Sequence, residues 1–147
     1  MLNQKSLIIH LLQLIQNLGV TNYDNKEVTL ADIPGLIEGA HEGIGLGDKF
    51  LRHIERCKSI LHLIDITNNN LLESYSKVRK ELFKYSNKLL KKREIIVFNK
   101  IDMINEEEIN KKIDAFQKKI KKKIFTISAL KHIGLKIIKK NLVSYVY

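Results

Sequence analysis

An α/β fold, a mostly parallel sheet with flanking helices, is what this sequence predicts, and two observations carry the prediction. From Ser59 onward, short apolar runs alternate with longer stretches of helical periodicity, the pattern of parallel strands joined by crossover helices. One of those runs, Ile95-Ile96-Val97-Phe98, is apolar at every position and too short for a helix, as suits a buried strand.

The elements follow in order. Ser6–Ile15 is apolar without a clear period and reads as neither helix nor strand. Val20–Tyr23 and Glu27–Ile33, separated by Asp24-Asn25, read as a β-hairpin. A glycine-rich segment, Pro34–Gly47, comes next, and Lys49–Lys58 carries Phe50, Ile54 and Cys57 at helical spacing. Ser59–Ile66 is a strand and Thr67–Asn70 a polar loop. Leu71–Lys92 is the clearest helix, with Leu71, Tyr75, Val78, Leu82, Tyr85 and Leu89 along one face. Glu94–Phe98 is the next strand. Glu106–Lys121 is amphipathic through Ile109, Ile113, Phe116 and Ile120; Lys123–Ile127 is a strand. Leu135–Tyr145 closes the chain as a helix with Leu135, Ile138, Leu142 and Tyr145 inward.

A chain of 147 residues suits one domain with a real core. Its net charge of +10 admits an acidic partner: RNA, a nucleotide or a membrane surface. Abundant Ile, Lys and Asn, all with AT-rich codons, are an alternative source of that basicity. Cys57 is the sole cysteine, which excludes a disulfide framework and fits a reducing cytoplasm. No apolar run is long enough to span a bilayer, and Met1–Gln16 lacks the marks of a signal peptide. The five histidines show no paired metal spacing, which argues against a structural metal. Lys118–Lys123 reads either as a contact for RNA phosphates or as a solvated helix end whose cations suit the dipole.

Chemistry gathers at the carboxyl ends of three strands, where open α/β sheets bind ligands. Asn99-Lys100-Ile101-Asp102 follows the apolar strand. Its carboxylate can accept two N–H bonds from a guanine edge, its amide can meet the base's acceptors, and the Lys stem can lie over the ring. A plain polar corner is the alternative. Asp32-Ile33-Pro34-Gly35 ends the hairpin: Asp32 can hold Mg²⁺ through water, and the Gly35 amide can approach a terminal phosphate closely. Gly39, Gly43, Gly45 and Gly47 after it suit a segment ordered in one state and loose in another. Ser128-Ala129, after the third strand, can offer a backbone N–H to a guanine oxygen. The ordered trio, Asp-x-x-Gly, Asn-Lys-x-Asp and Ser-Ala, is the informative signal.

The run Ala31–Gly47, continuing Phe50-Leu51-Arg52-His53-Ile54-Glu55-Arg56, closely resembles the switch region of the Obg family, GTPases associated with assembly of the large ribosomal subunit. Asn17-Leu18-Gly19-Val20, Leu61–Asp65 and Val97–Asp102 fit the same family in order and spacing. The resemblance implies a Ras-like P-loop NTPase G domain over residues 17–147. It further implies GTP or GDP as ligand, Mg²⁺ as cofactor, the large ribosomal subunit and its rRNA as partner, and a cytoplasmic location. By it, Asp32 faces Mg²⁺, Gly35 beside Pro34 senses the γ-phosphate, Asn99, Lys100 and Asp102 read guanine, and Ser128 and Ala129 stand behind them. Leu36 stands where many small GTPases carry a water-orienting Gln, which implies slow hydrolysis or help from a partner.

The departures are as specific. No Gly-x-x-x-x-Gly-Lys-Ser/Thr occurs, so the loop that cradles phosphates, its Lys and its Mg²⁺-binding hydroxyl are missing, as are the strand and helix around it. The family's glycine-rich N-terminal domain has no counterpart. The expectation is a truncated G domain with impaired or no GTPase activity, and no residue is assigned to catalysis. Alternatives are a non-catalytic remnant and a fragment complemented by a separately encoded N-terminal half. Leu11, Leu12 and Gln13 stand where the family has Phe-Thr-Thr. Ile8–Leu14 can be encoded ATT ATT CAT TTA CTA CAA TTG, which two bases in reads Tyr-Ser-Phe-Thr-Thr-Ile. Residues 1–16 are therefore expected to be a divergent, partly out-of-frame segment, and resequencing the locus checks this.

Overall fold

β1 (Leu18–Tyr23) and β2 (Lys26–Ala31) form the expected hairpin, antiparallel, with Tyr23 opposite Lys26. The two turn residues, Asp24 and Asn25, both take positive φ, 52° and 56°. A two-residue loop of that hand matches the twist of the strands, and Asp and Asn tolerate it better than most side chains. This computed structural model describes residues 18–32 and 55–147. The glycine-rich segment and most of the predicted helix Lys49–Lys58 lie outside them. Of that helix, Glu55 is helical, whereas Cys57 and Lys58 already belong to the lead into the next strand.

Three parallel strands form the main sheet: β3 (Ser59–Asp65), β4 (Arg93–Asn99) and β5 (Ile124–Thr126), with β4 in the middle. Ile95 to Phe98 are at most 1% exposed, which explains why that run shows no alternation. The pleat sends Ile96 and Phe98 to one face and Ile95 and Val97 to the other. Two helices cover the first face, α1 (Leu71–Tyr85) with Leu71 and Tyr75 and α3 (Glu106–Ile120) with Phe116. The second face is covered by α4 (Leu135–Val146) through Ile138, Leu142 and Val143, and Val28 of β2 joins that cluster. Among the described residues the hairpin and the three-stranded sheet are separate sheets. α4 packs against both, and Leu63 on β3 remains 53% exposed.

The helix predicted over Leu71–Lys92 is a correction. α1 stops at Tyr85, and a four-residue helix, α2 (Asn87–Leu90), follows. Ser86 between them is extended (φ −166°, ψ 129°), and its side chain accepts the Lys88 N–H as the cap of α2. Its hydroxyl also donates to Glu55 Oε1 at 2.6 Å, while Lys88 Nζ holds Glu55 Oε2 at 3.0 Å. A serine with a local capping option and a tertiary partner thus overrides a periodic apolar stripe. Leu89 still reaches the interior, 1% exposed, on the new helix.

The starts of the two long helices are set by their sequences. Asn70 caps α1 by accepting the Glu73 N–H at 3.2 Å, and its Nδ2 donates to Glu73 Oε2 at 2.9 Å. Asn105 caps α3 in the same way on the Glu108 N–H, with Glu106, Glu107 and Glu108 in the first turn facing the helix dipole.

A buried charge fixes the start of β4. The Glu94 side chain is 1% exposed, yet both carboxylate oxygens are occupied. His62 Nδ1 lies 3.1 Å from Oε1, while Tyr75 Oη and Lys122 Nζ donate to Oε2 at 2.9 and 2.7 Å. The Arg79 guanidinium adds its charge at 3.7 Å. Burial alone would raise the Glu94 carboxyl, but these donors and cations outweigh it and hold the pKa down at about 2. β3, β4, α1 and the turn before β5 are thereby tied at one point.

Candidate functional site

At its other end β4 delivers Asn99, and the chain there is held from both sides. The Ile66 N–H donates to the Asn99 carbonyl at 3.0 Å, and the Ile127 N–H donates to the Phe98 carbonyl at 2.8 Å. Lys100 then takes a left-handed conformation (φ 68°) before a single 3₁₀ turn, Ile101–Met103. The Ile101 N–H donates to the Ile127 carbonyl at 3.2 Å. This tight turn throws Lys100 and Asp102 up at the carboxyl edge of the sheet instead of continuing the strand.

Asn99 organises the corner. Its Oδ1 accepts the Lys100 N–H at 2.8 Å and the Ala129 N–H at 3.0 Å. Of the backbone N–H groups of Ser128-Ala129, that of Ala129 goes to Asn99 and fixes the β5 loop to the β4 corner. Ser128 is wholly buried, paired through its backbone with Ile133 at 3.1 and 3.0 Å, and its Oγ accepts the Lys131 N–H at 3.0 Å. The Ser128 hydroxyl beside Asp102 holds that carboxyl below the ordinary range, and the charges of Lys131 and Lys100 act in the same direction. Asp102 is therefore ionised and acceptor-only at neutral pH. Asn99, Lys100, Asp102, Ser128 and Ala129 are thus brought to one corner.

Asp65 is a member of this corner that the motif reading passed over. It ends β3 in register with Asn99. Lys100 Nζ meets its Oδ2 at 2.6 Å, while its Oδ1 accepts from the Thr67 N–H and hydroxyl at 2.9 and 2.7 Å. Partial burial pushes the carboxyl up; Lys100 and Thr67 more than reverse this and leave it below the usual range. The available signal was positional, since a carboxylate closing one parallel strand lies beside whatever closes the next. Lys112 of α3 secures the same loop by donating to the Ile66 and Asn68 carbonyls at 2.7 and 3.2 Å.

Asp32 directly follows β2 and is exposed. Pro34 and Gly35 lie outside the described residues. No group of three or more His, Cys, Asp or Glu able to hold a metal occurs among the described residues. A Mg²⁺ that keeps most of its waters and takes the rest of its oxygens from phosphate needs only one such outer carboxylate, and Asp32 has the right chemistry for that part. No helix among the described residues is long and apolar enough to cross a membrane.

A parallel sheet with an Asn-Lys-x-Asp corner at its carboxyl edge defines a class, and comparison with known proteins agrees. Residues 14–100 match the family model described as 50S ribosome-binding GTPase. GTPase Obg of Pelagibacter ubique (strain HTCC1062) is 55% identical over 130 residues, covering 88% of this chain and 40% of that protein. GTPase Obg of Rickettsia felis (strain ATCC VR-1525 / URRWXCal2) is 52% identical over 127 residues, covering 86% of this chain and 38% of that protein. Among solved structures, Era in complex with MgGDPNP and a segment of 16S ribosomal RNA superposes with a TM-score of 0.64 at 28% identity, over 87% of this chain and 43% of Era. The chain belongs to the 50S ribosome-binding GTPases, and within them to the Obg family. It spans about two-fifths of the length of the curated relatives it matches.

Proposed function

We propose that this chain is the guanine-reading part of an Obg-type GTP-binding protein that works with Mg²⁺ at the large ribosomal subunit in the cytoplasm. The observation that carries this is the corner itself. An ionised Asp102 is set beside Ser128, and the Asn99 amide is locked by Lys100 and Ala129. In this reading Asp102 accepts from the guanine N1–H and exocyclic amine, while Asn99 holds the β5 loop against the base. Lys100 covers the ring, with Ser128 and Ala129 forming the wall behind it. Asp32, Pro34 and Gly35 belong to the phosphate side, Asp32 through a Mg²⁺-bound water. Mg²⁺, when bound, offsets charge on the phosphate oxygens. The ribosomal partner is supported by the family's description and by the ribosomal RNA in the Era complex.

These 147 residues contain no Gly-x-x-x-x-Gly-Lys-Ser/Thr loop, and successive N–H groups on phosphate supply much of the affinity of such sites. The chain alone is therefore expected to bind GTP and GDP only weakly and to hydrolyse GTP poorly or not at all. Titration with a fluorescent GDP analogue tests this: binding at micromolar concentration or tighter refutes the loss of affinity. Asp102→Ala should abolish whatever guanine selectivity is measured, and an unchanged preference refutes the assignment of the corner.

A second reading, complementation by a separate half that carries the phosphate loop, is favoured by two observations: among the described residues the hairpin and the parallel strands form separate sheets, and Leu63 of β3 is 53% exposed. Co-purification of such a fragment with restored GTPase activity supports it. Ribosome co-sedimentation indifferent to nucleotide supports a non-catalytic ribosome contact instead.

A further inference from the structure

The end of the sheet opposite the guanine corner carries a band of cations. β4 and β5 start there, and α3 and α4 finish there. Lys118 and Lys119 occupy the last turn of α3, and Lys121 closes it in a left-handed cap. Lys123 leads into β5, and Arg93 opens β4. All five are exposed, and none makes an ion pair among the described residues.

Their placement has a structural cause. The pleat puts Arg93 on the same face as Ile95 and Val97, and Lys123 on the same face as Phe125, which is the α4 side. There the Arg93 guanidinium lies 5.6 Å from the Tyr145 ring centroid, and Lys123 Nζ lies 4.9 Å from that of Phe125. A third pair, Lys26 Nζ over the Tyr147 ring at 5.2 Å, extends the band to the hairpin. Tyr147 is in turn fixed by its hydroxyl on the Glu27 carbonyl at 3.0 Å. Rings thus hold three cations at this end without neutralising them. The neighbouring Lys122 shows the contrast, since its charge is spent on Glu94. Among the described residues, exposed acids here are few: Asp24 and Glu27 in the hairpin, and Asp114 one turn before Lys118.

We propose that this end of the molecule is a docking surface for the phosphodiester backbone of RNA, separate from the nucleotide corner. The choice of RNA as the polyanion rests on the ribosomal reading above; the surface itself does not. Cations without an ion pair among the described residues, spread over two strand starts, one helix end and the hairpin, suit a run of phosphates better than one small anion. Ile120, the one apolar residue within Lys118–Lys123, turns into the core, so that segment offers no aliphatic wedge for lipid. Because the guanine corner lies at the opposite end of β4, RNA binding here is indifferent to nucleotide.

Fluorescence anisotropy of a labelled single-stranded RNA of about 20 nucleotides tests it on the whole chain. With about four cations engaged, affinity should fall roughly fiftyfold between about 50 and about 200 mM salt. Lys119→Glu with Lys123→Glu should weaken binding at least about tenfold. Lys111→Glu with Lys136→Glu, the same charge change near the starts of α3 and α4 at the opposite end, should cost less than about twofold. Lys119→Gln with Lys123→Gln, checked for an unchanged melting temperature, repeats the test without charge reversal and should weaken binding in the same direction. Equal losses from the two reversed pairs overturn the surface, since binding then follows net charge alone. Absence of RNA binding at low salt, or capture by phosphatidylserine vesicles in its place, overturns the choice of RNA. GTP or GDP leaving RNA affinity unchanged is expected; loss of guanine preference in Asp102→Ala with RNA binding intact shows the two proposals to be separable.

Discussion

β4 ends in two different ways, and the difference separates what holds this protein together from what it offers a ligand. At its start, Glu94 is buried with every oxygen occupied by donors from α1, β3 and the turn before β5. At its finish, Asn99, Ile101 and Asp102 are partly buried and Lys100 is exposed. Their hydrogen bonds fix the backbone but leave the Asp102 carboxylate and the Lys100 stem accessible. A buried charge with several partners is costly to disturb, whereas a surface carboxylate next to a hydroxyl is nearly free to change in the absence of ligand. Substitutions at the two ends should therefore trade places: large stability effects without loss of base selectivity at the start, the reverse at the finish.

The largest stability effect is expected at Glu94. Glu94→Leu strands Lys122, Arg79 and the Tyr75 hydroxyl around an apolar side chain and should cost on the order of 3–5 kcal/mol. Urea unfolding reads this directly. Acid gives the same interaction a sign. The carboxyl is lowered from 4.5 to about 2 in the folded state. Its contribution is complete above the unfolded value and is lost as pH falls from about 4.5 towards about 2. By linkage that contribution is about 3 kcal/mol, and Glu94→Gln should flatten stability across this window.

Gly134 comes next. It begins α4 at φ 75°, and a Cβ there would sit 2.5 Å from the Thr126 carbonyl oxygen and 3.2 Å from Ile127 Cγ2. Gly134→Ala should cost roughly 2 kcal/mol, measurable as a lower melting temperature, because backbone conformation and space both oppose it. Asn99→Ala should cost about 1 kcal/mol, since the Ala129 N–H loses its acceptor at a partly exposed site. It sharpens the comparison, because it alone should affect stability and guanine selectivity together. Asp102→Asn should change stability by less than about 0.5 kcal/mol. It should also move base preference from guanine towards xanthine, whose 2-oxo group accepts where guanine's amine donates.

Much of this was legible in the sequence because local chemistry and tertiary structure agree. Asp24-Asn25 made a hairpin in a two-residue turn, Ile95–Phe98 a doubly covered strand, and Asn99–Asp102 a corner at its end. What stayed hidden depends on contacts distant in sequence. Glu94 before an apolar run looks like any polar strand entry, and only the approach of His62, Tyr75 and Lys122 makes it a buried hub. The break at Ser86 depends on Glu55 some thirty positions earlier. The tie between Asn99 and Ala129 spans a similar distance and takes up one of the amides of Ser128-Ala129. Asp65 was overlooked because a single carboxylate at a strand end carries no motif.

Recognition of guanine by the corner is read by amide-resolved NMR titration of this chain with guanosine monophosphate. Saturable shifts are expected at Lys100 to Asp102 and Ser128 to Lys131, with a Kd on the order of 1 mM. None are expected with adenosine monophosphate, and none in Asp102→Ala. Equal shifts with both nucleotides, or a silent corner at saturating guanosine monophosphate, would contradict guanine recognition.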